Sequence, residues 1–113
     1  MKNKVVITGI GVVSPIGNSK KEFLSSLKAG KNGIDTISLF DTEQFSVKIA
    51  GQSSIKIENY FSKKELNKID RFTAFSLIAA EQAIKHANLD NYKDTNNIGV
   101  IVGSGIGGIK TFE

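Results

Sequence analysis

The chain has 113 residues, 40% of them apolar and 23% charged, with a formal net charge of +4; that is one domain or a piece of one, with a modest core. It carries no cysteine and one histidine, which excludes disulfides, thiolate metal ligands and thiol catalysis within this chain. No run approaches the roughly 18–20 apolar residues that cross a bilayer, no signal peptide is recognisable, and a cytoplasmic setting with no membrane partner is the expectation.

Lys4–Ile7, extending toward Val13, is β-branched, continuous and interrupted by Gly9 and Gly11, the pattern of a buried strand emptying into a glycine turn. Pro15 and Gly17 make the next residues a loop. Ser19-Lys20-Lys21-Glu22 reads as a capping box that opens a short helix with an apolar stripe of Phe23, Leu24 and Leu27. Gly30 ends that helix, with Lys28 near its negative pole. Residues 31–45 read as loop. Phe45–Gly51 alternates apolar with polar and predicts a half-exposed strand, continued in broken form by Ile55 and Ile57.

Ser62-Lys63-Lys64-Glu65 is a second capping box. Asp70 is placed to cap a longer helix running to about Ala87, with Asn88 as a left-handed C-cap. The middle of that helix is apolar nearly all round, so it should be buried on more than one side, and a partner domain or second subunit is expected there. Residues 88–97 form a polar loop, and Ile98–Val102 reads as a second buried strand. The order strand, helix, strand, helix, strand predicts an α/β layer with a largely parallel sheet. The residues from Gly108 onward read as the opening of another helix, so the chain looks like the start of an enzyme cut off before its chemistry.

Gly103-Ser104-Gly105-Ile106-Gly107-Gly108 follows the second apolar run and matches G-x-G-x-x-G through Gly103, Gly105 and Gly108. In a dinucleotide site such glycines let the backbone approach a pyrophosphate at a helix N-terminus; a tight turn that needs positive φ or close packing is the competing explanation. The acidic ribose ligand, expected about 20 residues later, would lie beyond the last residue of this sequence. His86, near the end of the long helix, has no serine, cysteine or acidic cluster placed to work with it. The carboxylates are scattered, and no metal ligand set, and hence no metal or cofactor, is expected. All but one of the fifteen basic residues are lysine. Lysine is a hydrated point charge rather than the bidentate fork used to read bases and phosphates, so nucleic acid is not an expected partner. Lys63, Lys64 and Lys68 form a compact basic patch at a helix entrance, with 64 and 68 one helical turn apart: either a solvated face or a docking site for an acidic partner.

These motifs, taken together and in order, resemble the β-ketoacyl-acyl-carrier-protein synthase family. The resemblance rests on Val5-Val6-Ile7-Thr8-Gly9-Ile10-Gly11, Ser14-Pro15-Ile16-Gly17-Asn18, Phe40-Asp41, Phe45, Ala50-Gly51, Lys63-Lys64-Glu65, Asp70-Arg71-Phe72 and the loop from Gly103 to Gly108. It spans nearly the whole chain and points to the type II, elongating kind. It implies an incomplete N-terminal part, residues 1–113, of a thiolase-like layered α/β fold whose complete chain is several-fold longer and assembles as a homodimer. It implies a decarboxylating Claisen condensation between an acyl group held on a cysteine and malonyl-acyl-carrier protein. The nucleophilic cysteine and both catalytic histidines of that chemistry are absent, and His86 matches neither, so no catalytic residue is expected in this chain and it should be inactive alone. By the same resemblance, Ile106, flanked by Gly105 and Gly107, matches the residue that gates the acyl pocket, and Lys63, Lys64 and Lys68 match the patch that docks the acidic carrier protein, with Asn67 replacing a further basic residue. The alternatives are a nucleotide (NAD(P))-binding α/β domain and a non-catalytic carrier-protein-binding remnant.

Overall fold

The computed structural model describes residues 3–109. They form two compact units, one of residues 12–55 and one of residues 3–11 with 56–109.

In the first unit Ser14 and Gly17 pair through both backbone bonds, Ser14 N–H to Gly17 O at 3.0 Å and Gly17 N–H to Ser14 O at 3.3 Å. This turn leads into helix α1, Lys20–Lys28. The Ser19 hydroxyl accepts from the Glu22 N–H at 3.3 Å, but Glu22 reaches past the expected partner and accepts from the Asn18 N–H at 2.8 Å. The box is therefore half formed at Ser19 and extended by one residue. Gly30, at φ +64°, closes the helix in the left-handed region where glycine is unstrained. No residue of α1 is buried, and its Leu24 and Leu27 are exposed in this chain.

Strands β1, Ile34–Thr36, and β2, Ile49–Gly51, pair antiparallel, with Ile34 opposite Gly51 and Thr36 opposite Ile49. The stretch read as loop thus contains a strand, and the strand read from Phe45 begins only at Ile49. Gln52 explains the pairing: its side-chain amide donates to Thr36 O at 3.2 Å while its carbonyl accepts from Ser38 N–H at 3.2 Å. That clamp, between residues well separated in the chain, has no hydropathy signature. Phe40 and Phe45, edge to face at 5.9 Å, close the intervening loop.

The second unit is organised by helix α3, Arg71–His86, preceded by a 3₁₀ turn at Ile57–Asn59 and the short helix α2, Lys63–Leu66. α2 has the complete capping box: Glu65 N–H donates to the Ser62 hydroxyl at 3.4 Å, and Ser62 N–H donates to the Glu65 carboxylate at 2.8 Å. The Ser62 hydroxyl also donates to the Glu65 carboxylate at 2.7 Å, and this bond, with the one from the Ser62 N–H, holds the Glu65 carboxyl below the usual carboxylate range. α3 matches its sequence reading, with Asp70 and Ala87 at its caps and Asn88 left-handed at φ 55°. Its buried stripe is Ala74 and Ile78, 0% and 1% exposed; Phe72, Leu77 and Ile84 on its other sides are exposed in this chain.

The two apolar runs read as buried strands do not pair with any strand among the described residues, so the parallel sheet is not formed. Val5 is 95% exposed and Ile101 is 98% exposed. A strand requires a hydrogen-bonded neighbour as well as β-branched residues, and the ladder is a non-local property that neither run carries. The fold class among the described residues is a mixed helix–strand fragment.

Candidate functional site

Three features group around α3. The first is a close approach by the N-terminal run. A side chain at Gly11 would strike the Ala79 carbonyl, and one at Gly9 the Ala83 carbonyl and the Ala87 Cβ. Ala79, Ala83 and Ala87 are successive members of one i,i+4 row, so the first glycine turn lies flat on a stripe of small residues with backbone against backbone. The Ile10 N–H between the two glycines donates to His86 Nδ1 at 3.0 Å. The single histidine thus ties the end of α3 to the N-terminal run.

The second feature is the loop from Gly103 to Gly108. Gly107 has φ +80°, and its N–H donates to the Ser104 hydroxyl at 3.0 Å. This bond closes the loop and leaves Ile106 at its tip, 79% exposed. Gly107 supplies the left-handed backbone next to Ile106; at Gly105 a side chain would meet open space and the backbone is not left-handed. The next glycine is confined for another reason. A Cβ at Gly108 would strike the carboxylate of Asp70, and one at Gly107 would touch the Phe72 ring at 3.9 Å. Sequence reading assigned Asp70 to capping, yet it makes no side-chain capping bond to α3. Its contact with Gly108 joins residues far apart in the chain, and no local signal could have revealed it. An anionic carboxylate against the third glycine also opposes the pyrophosphate that a dinucleotide loop would receive there.

The third feature is the basic patch. Lys63, Lys64 and Lys68 are all exposed. Lys63 and Lys64 open α2, but the helix ends at Leu66 with Asn67 as its C-cap. Lys68 therefore lies beyond it, and the expected one-turn spacing on a common helical face does not exist. The Asn67 N–H already bonds back to Glu65 O and Lys63 O, and the Lys68 N–H donates to Glu65 O at 2.8 Å, a turn that stops the helix before a second turn can form. Lys68 instead lines a shallow cleft with Asn67, Glu58, Asp70 and Arg71. Arg71, which the sequence reading left out of the patch, shares that surface and also lies over the Phe75 ring at 4.8 Å.

Among the described residues no group of three or more His, Asp or Glu side chains is placed to hold a metal ion, and no helix is long and apolar enough to cross a membrane.

Comparison with known proteins places these features in context. The 3-oxoacyl-[acyl-carrier-protein] synthase 2 of Staphylococcus aureus (strain COL) is 48% identical over 112 residues, covering 97% of this chain and 27% of its own length. The enzyme of the same name from Vibrio cholerae serotype O1 is 40% identical over 114 residues, covering 99% of this chain and 28% of its own length. This chain thus spans about a quarter of these curated relatives. Among solved structures, the ishigamide ketosynthase/chain length factor superposes with a TM-score of 0.67 at 28% identity, over 83% of this chain and 23% of that one. Residues 2–113 match the family described as "Beta-ketoacyl synthase, N-terminal domain", and the chain belongs to that family.

Proposed function

We propose that this chain is the N-terminal segment of a type II 3-oxoacyl-[acyl-carrier-protein] synthase, which elongates fatty acids by condensing an acyl group with malonyl-acyl-carrier protein. The observation that carries the reading is the 48% identity to such an enzyme along 97% of the chain. In the reaction, a cysteine thiolate supplied from beyond this segment takes the acyl group from its carrier. Malonyl-carrier protein loses carbon dioxide, and the resulting carbanion attacks the thioester and releases the cysteine. The covalent intermediate divides one difficult step into two.

The segment's contributions in this reading are selection and docking. Ile106 is the gate of the acyl pocket: a branched side chain at the loop tip opposes long acyl chains until it changes rotamer. Gly107 provides a backbone conformation that a side-chain-bearing residue adopts only under strain. Lys63, Lys64 and Lys68 receive the acidic carrier protein, and their exposure to solvent suits a steering surface. The complete enzyme is a thiolase-like, layered homodimer, in which neighbouring layers cover the exposed sides of α3 and the two unpaired apolar runs.

A chimera tests this reading. This chain replaces the matching segment of the S. aureus relative, and condensation of acyl- and malonyl-carrier protein is measured. An active chimera, with the isolated chain inactive, is the expected result; a folded chimera without condensation would sink the proposal. In the active chimera, K64E with K68E raises the KM for carrier protein, most at low salt because exposed charges are screened beyond about 10 Å at 0.1 M. An unchanged KM removes the docking assignment and leaves the family assignment intact.

A further inference from the structure

Asp70 holds the N-cap position of α3 with extended backbone angles, φ −77° and ψ 161°, yet its side chain makes no capping bond. Aspartate is among the best N-cap residues because its carboxylate accepts from the orphan N–H groups of the first turn. Here the carboxylate instead lies against Gly108, in the space that a Cβ would occupy. A Cβ at the neighbouring Gly107 would meet the Phe72 ring, in the same first turn, at 3.9 Å. The glycine loop thus meets the first turn of α3 most closely at Gly108, with Phe72 beside Gly107, and the Gly107 N–H donates to the Ser104 hydroxyl at 3.0 Å. Ile106 is the residue immediately before this pair. The backbone that follows it turns at Gly107, φ +80°, where the Ser104 hydroxyl accepts from the Gly107 N–H.

We propose that Asp70, with Phe72, is a positioning residue that fixes the Gly107–Gly108 backbone and thereby the direction of Ile106, so that the start of α3 helps to set which acyl chain lengths are accepted. The selectivity part rests on Ile106 being the acyl gate; the positioning part does not. The physical logic is that a gate selects only if its hinge is fixed. The glycines give the loop many backbone states, and the contacts with Asp70 and Phe72 remove most of them. Gly108 leaves room for the carboxylate, and the carboxylate leaves no room for a side chain at residue 108.

Two measurements on one variant set test it. Asp70→Ser retains a good N-cap residue but withdraws the carboxylate from Gly108. In the active chimera, amide exchange should rise about tenfold at Gly107, Gly108 and Ile109 as local opening becomes easier, with exchange in the middle of α3 unchanged. In the chimera, the ratio of kcat/KM for long over short acyl-carrier protein should shift in the same direction as for Ile106→Ala, and by less. A variant that merely unfolds the region lowers both rates together and leaves the ratio fixed. Unchanged exchange at residues 107–109 overturns the positioning role. Raised exchange with an unchanged ratio, where Ile106→Ala does shift it, overturns the link to selectivity. If Ile106→Ala leaves the ratio unchanged, the gate assignment fails, and the exchange result alone decides the role of Asp70.

Discussion

Two glycine turns follow two apolar runs in this chain and look alike in sequence, yet the structure uses them differently. At Gly9 and Gly11 the missing side chains permit contact: the backbone lies on the carbonyls of Ala79 and Ala83, and Ile10 is bonded to His86. At Gly103 and Gly105 nothing lies within 4 Å of where a side chain would stand. In that second turn the demand falls on Gly107, through its backbone angle, and on Gly108, through Asp70. Glycine spacing therefore marks where a side chain is absent, and only the neighbours reveal what the absence is for.

The comparison can be broken first at Gly11. Gly11→Ala puts a methyl group into the Ala79 carbonyl, and neither side can yield without moving backbone. Denaturant unfolding of the chain should show a loss of about 3 kcal/mol, the upper end of the overpacking range. A loss below about 1 kcal/mol would mean that the N-terminal run does not lie on α3. At Gly107 the same substitution meets only ordinary van der Waals contact with Phe72, and the cost is conformational. Placing alanine in the left-handed region costs about 1–2 kcal/mol, so Gly107→Ala should fall clearly below Gly11→Ala in effect.

Ser62→Ala is a milder case, since a lost serine N-cap typically costs about 1 kcal/mol. Its pH dependence sharpens the reading of the capping box. Ser62 lowers the Glu65 carboxyl from its ordinary value of 4.5. A carboxyl depressed in the folded state contributes stability that is present above 4.5 and lost as pH falls through the depressed value. The stability gap between the wild-type chain and S62A should therefore narrow as pH falls below 4.5. A gap that stays constant through that window would show that Glu65 is not part of the cap.

The legible parts of the molecule were those whose cause is local. The bounds of α3 follow from the apolar run, Ala87 and Asn88, all within or next to the helix, with Asp70 at the N-cap position but without a side-chain capping bond. The Ser62 box was readable for the same reason. The misread parts depend on distant partners. Val5-Val6-Ile7 and Val100-Ile101-Val102 have strand composition but no ladder partner among the described residues, while β1 forms at an unpromising sequence because β2 and Gln52 stand beside it. Lys68 left the helical face because α2 stops after Leu66, and termination is harder to read than initiation without a glycine or proline to mark it. In the candidate site, Ile106, Lys63, Lys64 and Lys68 were readable as candidates, but the approach of the Asp70 carboxylate to Gly108 was not, because it joins residues far apart in the chain.

Gly103→Ala is expected to have the smallest effect, and its value lies in where it is measured. In this chain Gly103 has open space around it and a backbone angle that alanine adopts without strain. The substitution should change stability by no more than about 0.5 kcal/mol, as at an unconstrained surface position. The same change in the chimera addresses a different neighbourhood. If thermal unfolding and condensation are again unaffected, Gly103 is dispensable, and the glycine-rich loop owes its constraint to Gly107 and Gly108. If the chimera loses activity while the chain keeps its stability, the space beside Gly103 is filled in the longer enzyme by something this segment does not supply. The second turn would then be like the first, a place where backbone meets backbone, with its partner carried by the rest of the protein.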